Sequence, residues 1–316
     1  MKVITETDRL YLRAFILDDS EHFFKMNADE AVVRYTGDLP FKDEEEALHF
    51  LSGYKEYDKY GIGRWAVIRK EDEAFLGWCG LKFHPEESIT EVGFRFYQEY
   101  WGEGYATEAA AAAVRFGFTD KKFVQIHAHA HRNNKASIRV LEKLGMQPVK
   151  DFDYDGLPAT LFVLHNPDYA LKPISSGSVL QVRHPVLRAG RPEADAVFEG
   201  DDDPDTFHLG MFFKDALTGV VTLMKRPPAR PSLMETDYQL RGMAVLDGFR
   251  RSGIGKALVT EAEDMVSEKG GKGIWMNARE AAAHFYETLG YRITGNLFEI
   301  RNVGPHYFME KSLQKK

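Results

Sequence analysis

The sequence predicts an α+β protein made of two similar domains, each a set of helices layered on one twisted sheet. Three observations carry that expectation. Residues 238–269 read as a short apolar strand, a glycine turn and an amphipathic helix that places Ala257, Leu258, Ala262, Met265 and Val266 on one face. The same succession occurs earlier, around Tyr100-Trp101-Gly102-Glu103-Gly104-Tyr105-Ala106. In both halves strand patterns outnumber helical ones, which suits helices packed on a mixed sheet.

Taken in order, residues 8–13 alternate like an edge strand, and 18–34 carry a helical pattern. A second helix starts after Asp43, with Glu44, Glu45 and Glu46 in the first turn, where the helix dipole favours acids. Strands are expected at 64–69, 74–83 and 89–97, then an alanine-rich helix over 107–118. A strand at 123–130 and a helix at 134–146, closed by Gly145, complete the first domain, set at 1–170. Residues 171–178 are small, polar and proline-broken and read as a linker. The second domain, 179–316, is expected to hold strands at 206–213, 217–224, 274–277, 292–300 and 305–310, with a helix over 279–291. Its Arg279–Tyr291 run echoes 134–146, each closing on Leu-Gly followed by a large residue. Two long units of this kind indicate duplication rather than a solenoid.

Composition narrows the function. The chain has 316 residues, 44% hydrophobic and 28% charged, with a net charge of −7. No apolar run is long enough to span a bilayer and the first residues lack a signal-peptide pattern, so a cytoplasmic protein without membrane contact is expected. The single cysteine, Cys79, sits among Leu76, Trp78 and Leu81 and reads as a buried small residue. The acidic balance argues against nucleic acid and for a basic amine or peptide end as partner.

The organising turn, Arg250-Arg251-Ser252-Gly253-Ile254-Gly255, joins a strand to a helix. Unpaired N–H groups and the positive end of the helix dipole make such a turn a phosphate site, and glycine lets a pyrophosphate approach the main chain. The spacing is neither that of the nucleotide-hydrolysing P-loop nor that of the dinucleotide fingerprint. As Arg-x-x-Gly-x-Gly it resembles the acetyl-CoA pyrophosphate motif of the GNAT superfamily of N-acyltransferases. Residues 1–168 are similar to its ribosomal-protein-alanine N-acetyltransferase branch through Thr7-Asp8-Arg9-Leu10, Trp101-Gly102-x-Gly104-Tyr105-Ala106 and Asn134-x-x-Ser137. Residues 179–316 resemble another GNAT group through Arg183-His184-x-Val186-Leu187-Arg188 and Gly304-Pro305-His306-Tyr307.

The resemblance implies two GNAT-type domains with helices on both faces of each sheet, acetyl-CoA as cosubstrate, and an amine acceptor. It places pantetheine in a gap beside the organising strand, against the backbone of Met243 and Val245, or of Phe94 and Phe96. It places pyrophosphate at Arg250, Arg251, Gly253, Ile254, Gly255 and Lys256, or at Gly102, Gly104 and Ala106. Asn277 and Asn134 fall beside the cofactor. Tyr286 matches the family's tyrosine acid, with a core aromatic as the bland alternative. In the first half Leu141 falls there instead, and Ser137, one turn earlier, matches the branch's serine. Glu91 is the expected base of the first half, its alternative being an exposed strand charge. For the second half His306 is a candidate base against a packing role, because Arg241 stands where a glutamate would be useful. The second half, with the fuller pyrophosphate turn, is favoured as the CoA site. The acidic run 201–205 is either a solvated loop or a hold for a cationic substrate. His127, His129 and His131 share a strand face, but no carboxylate or cysteine accompanies them in sequence, so no metal is expected. The rival to an acetyltransferase is an acyl-CoA-binding sensor or scaffold with one or both domains inactive.

Overall fold

A computed structural model of the chain describes residues 2–313, which divide between Asn166 and Pro167. The first unit opens with strands β1 (Val3–Glu6) and β2 (Leu10–Arg13), followed by helices α1 (Ser20–Ala28), α2 (Glu30–Val33), α3 (Glu44–Ser52) and α4 (Glu56–Tyr60). The helical pattern expected over 18–34 is interrupted at Asp29, whose extended backbone caps α2 through a bond from Ala31 N. Asp43 caps α3 in the same way, accepting from Glu46 N. A buried pair, Arg13 with Asp19 at 2.7 Å, fixes the chain between β2 and α1.

Strands β3 (Arg64–Arg69), β4 (Phe75–His84) and β5 (Ile89–Phe96) follow, then α5 (Tyr105–Thr119), β6 (Gln125–His131), α6 (Lys135–Lys143), β7 (Gln147–Tyr154) and β8 (Leu157–His165). They make an eight-stranded sheet in the order β1-β2-β3-β4-β5-β6-β8-β7. Every neighbouring pair is antiparallel except β5 and β6. The alanines of α5 let it lie close on the sheet, where Trp65, Leu76, Leu81 and Ile126 form the core with Ala109, Ala110 and Ala113. Each fully buried large side chain there contributes roughly 1.5–3 kcal/mol. Cys79 belongs to this core, and burial pushes its thiol up to about 12, which makes it inert at neutral pH.

The second unit contains β9 (Tyr169–Ile174), α7 (Ser176–Leu187), β10 (Thr206–Phe213), β11 (Ala216–Lys225), β12 (Tyr238–Val245), α8 (Ile254–Glu268), β13 (Gly273–Arg279), α9 (Ala283–Thr288), β14 (Arg292–Ile293), β15 (Phe298–Ile300) and β16 (Gly304–Ser312). Its sheet runs β14-β16-β13-β12-β11-β10-β9, with β15 paired to β16. Here the linker expectation fails. Residues 171–174 belong to β9, paired antiparallel with β10, and Ser175 caps α7 by accepting from Ser178 N. The serines that look like linker are helix-capping chemistry. Pro173 is tolerated because β9 is the edge of its sheet, where a missing N–H breaks no ladder on the open side. The helix expected over 279–291 is shorter, since Glu280–Ala282 wind as a tight turn before α9.

In each unit one strand pair parts. β5 and β6 are in parallel register only at Glu91↔His127. β12 and β13 are in register only at Tyr238↔Ile274 and Gln239↔Trp275. Beyond those points the facing backbone edges of β5 and β12 are left open.

Candidate active site

In the first unit the parting of β5 and β6 opens a cleft of about 1490 Å³. At one end lies the turn into α5. Gly104 caps that helix in the left-handed conformation, φ 81°, and Gly102 has φ 85°; a Cβ built on Gly102 would meet nothing within 4 Å. The N–H groups of the first turn, including that of Ala106, therefore point from a helix N-terminus into open space, the arrangement that holds phosphate. Phe94 and Phe96 line the same cleft from β5, and Ser137 and Asn134 line it from α6. Asn134 caps α6, its Oδ1 accepting from Ser137 N at 3.1 Å, so that oxygen is already engaged. Leu141, in the tyrosine position, is core.

At the other end Glu91 is buried, not an exposed strand charge. Arg64 donates to its Oε1 at 2.6 Å, and His129 Nδ1 lies 3.0 Å from Oε2. His84 Nε2 approaches the same oxygen at 3.1 Å without hydrogen-bond alignment. Burial alone would raise the Glu91 carboxyl, but His129, His84 and the Arg64 charge outweigh it and hold it well below the ordinary carboxylate range. An ionised carboxylate can only accept, so a proton on His129 Nδ1 would suit it and would leave Nε2 its lone pair. That ring is flanked by Tyr154, with centroids 4.1 Å apart. His131 lies against Tyr35 instead, at 4.9 Å, and His127 is buried. Among the described residues no cluster of histidine, cysteine and acid side chains has the geometry to hold a metal.

Space for Arg64 comes from Gly93, where a Cβ would stand 2.6 Å from the guanidinium. The matching Gly242 does the same in the second unit. Its φ is +61°, it forms a bulge in β12, and a Cβ there would lie 2.8 Å from Arg183 Nε. Arg183 is fully buried on α7 and pairs with Asp201 at 2.5 Å, and it also reaches Thr222 Oγ1 and Ala196 O. The acidic run 201–205 divides. Asp202, Asp203 and Asp205 are exposed, as in a solvated loop, whereas Asp201 is directed inward to a guanidinium, so it neither stays solvated nor faces a cationic substrate.

The second unit's turn has Gly253 as a left-handed cap of α8, φ 96°, with Ile254, Gly255 and Lys256 opening the helix. Arg251 is also left-handed, φ 60°, and Arg250 pairs with Asp247 at 2.7 Å on the surface. Phe285 lies over this turn: a Cβ on Gly255 would be 3.2 Å from its ring and 3.7 Å from Met243 Sδ. Met243 and Val245 lie on the part of β12 beyond its register with β13. Asn277 Oδ1, on β13, is buried and makes no hydrogen bond among the described residues. Tyr286 is buried between Phe285 and Tyr291, and burial alone raises its hydroxyl above the ordinary value, which keeps it protonated as a donor must be. His306 is buried, with Nδ1 2.7 Å from Gly304 O, so this nitrogen carries the proton; it pairs with Arg279 across the β13–β16 ladder. The structure brings Glu91, Ser137, Phe94, Phe96 and the Gly102–Gly104 turn to one cleft. It adds Arg64 and His129, which sequence reasoning missed. Two strand glycines facing nothing in the pattern were the available signal for the arginines.

Two family models match the chain. One described as an acetyltransferase (GNAT) domain covers residues 9–147, and one described as the acetyltransferase (GNAT) family covers residues 179–291. The uncharacterized N-acetyltransferase YitI of Bacillus subtilis (strain 168) is 33% identical over 145 residues, 46% of this chain and 96% of that protein. The uncharacterized protein YkkB of the same strain is 34% identical over 145 residues, 44% of this chain and 83% of that protein. A solved acetyltransferase of the GNAT family from Bacillus anthracis is 26% identical, with a TM-score of 0.46, and the match spans 52% of this chain and 99% of that one. No helix of the described residues is long and apolar enough to cross a membrane.

Proposed function

Because this chain belongs to the GNAT family of acetyltransferases, in two copies, we propose that it transfers an acetyl group from acetyl-CoA to a primary amine and that the first unit performs the transfer. The observation that carries this reading is the cleft that runs from the Gly102–Gly104 turn to buried Glu91 and its half-buried partner His129. The turn would hold the pyrophosphate, and the open edge of β5 at Phe94 and Phe96 would pair with pantetheine amides. The acceptor, as an ammonium, must lose a proton before its nitrogen can attack the thioester carbonyl. A carboxylate held as low as Glu91 takes up a proton poorly, so His129 is assigned that proton at Nε2, with Glu91 fixing the ring. A backbone N–H on the open β5 edge would stabilise the oxyanion. As the carbon–sulfur bond breaks, the Ser137 hydroxyl would protonate the departing thiolate. A small amine and a protein N-terminus both fit; the latter rests on the resemblance of residues 1–168 to the ribosomal-protein branch.

A second reading concerns the second unit alone, as an acyl-CoA-binding module without turnover. It is favoured by Phe285 over Gly255 and by arginines, in place of a carboxylate, along the α7 side of β12. Calorimetric titration of acetyl-CoA tests both readings, using the intact chain, a Gly102→Glu/Gly104→Glu variant and a Gly253→Glu/Gly255→Glu variant, with thiol release followed on an amine panel. Loss of transfer in the first variant alone is expected. Undiminished transfer there, or no binding to the intact chain, sinks the assignment. Cofactor binding that disappears only in the second variant would return the transfer to Tyr286.

A further inference from the structure

The side of the second unit on which α7 packs gathers guanidinium groups that no carboxylate neutralises. Arg188, just past the end of α7, donates from Nη1 to Leu187 O at 2.9 Å, and Arg279, at the end of β13, donates to the same oxygen at 3.5 Å. Two like charges thus converge on one carbonyl. Arg241, from β12, lies against the Phe198 ring at 4.4 Å, the ring that Arg188 also approaches at 5.5 Å. Arg191 donates to Asn302 O at 2.6 Å and ties the loop after α7 to the turn between β15 and β16. Among the described residues none of these four arginines forms an ion pair.

The acids beside them form no ion pair with them. Asp201 is held by Arg183. Asp195 and Glu199 meet Arg188 and Arg241 through backbone carbonyls, at 3.2 and 3.4 Å. Burial pushes Arg188 below its ordinary value, helped by Arg279 and Arg191 against the Asp195 carboxylate. Burial does the same to Arg241, where Arg183 and Arg226 add to it against Asp201 and Glu199. In a chain of net charge −7, assembling uncompensated guanidiniums at one place opposes folding unless an anion completes them. On the same side, Asn277 alternates with Arg279 along β13 and so shares its face, and its buried Oδ1 lacks a donor.

We propose that the α7 side of the second unit binds a small molecule carrying a carboxylate or phosphate group, gripped by Arg188, Arg279 and Arg241, with Asn277 accepting a hydrogen bond from a donor elsewhere on that molecule. The planar guanidinium forks match either oxyanion. The site shares no residue with the Gly253 turn, and it stands whether or not this unit transfers acetyl groups.

The test is calorimetric titration of succinate and of inorganic phosphate, separately and without CoA, into the intact chain and into an Arg188→Gln/Arg279→Gln variant. One of the two anions is expected to bind the intact chain and to bind the variant roughly tenfold more weakly or not at all. Succinate binding identifies a carboxylate ligand, and phosphate binding a phosphate ligand. Binding of neither, or equal binding to the variant, overturns the proposal. Circular dichroism reports whether the variant is folded. If it is not, the single Arg279→Gln variant, whose side chain is exposed, is read by the same criteria.

Discussion

The two units answer one structural question differently. Each has a glycine on the strand before the parting, and in each the space beside it is filled by an arginine that grips a buried carboxylate. In the first unit the arginine comes from β3, two strands away in the same sheet, and its carboxylate, Glu91, keeps one oxygen turned to His129 and the cleft. In the second the arginine comes from a helix and its carboxylate, Asp201, is enclosed, with side-chain exposures of 0% and 3% for the pair. One pair opens onto a cleft and the other is a structural rivet. Charge at the two clefts follows from this: an acid held for a histidine in one unit, and guanidiniums left without an acid in the other.

The comparison breaks most visibly at the proton acceptor. His129→Ala is expected to lower acetyl transfer by about 10²–10⁴-fold, while Tyr286→Phe leaves it unchanged; steady-state thiol release measures both, and the reverse result would exchange the roles of the units. Next in size is the rivet. Asp201→Ala leaves Arg183 buried without an anionic partner and should destabilise the second unit by about 3–5 kcal/mol. Denaturant unfolding followed by circular dichroism detects this, and a shift of a few tenths would mean that the pair contributes little. The smallest effect is the acid response of the first unit. Because Glu91 is depressed in the folded state, its stabilisation is complete above the ordinary carboxylate value of 4.5 and is lost as pH falls below it toward the depressed value. Unfolding midpoints of intact protein and Glu91→Gln should therefore converge as the pH falls below 4.5. Parallel curves would remove the Arg64–His129 environment as the cause.

Much of the fold was legible because it is local. The strands at 64–69 and 206–213 follow from alternation and branching alone, and the two glycine turns follow from the conformation their first helical residue demands. The hairpin β7–β8 was not foreseen, since most of β7 is exposed and shows no period of two. Helix α7 was hidden by its own cap and by Pro185 in its last turns. In the site, the phosphate turn is contiguous and could be read. The Arg64–Glu91–His129 group comes from three strands, and nothing in the sequence near His129 announces that a carboxylate will arrive.

The edge strand β9 also governs how this protein can be taken apart. Cutting where the sequence looks loosest, at 171–178, would remove the strand that covers β10 and the cap of α7 together. The freed second half would present a row of unpaired N–H and C=O groups flanked by Leu209 and Met211, a template for self-association. A dissection that keeps β9 on its own sheet has to fall between Asn166 and Pro167, in the short turn that separates β8 from β9.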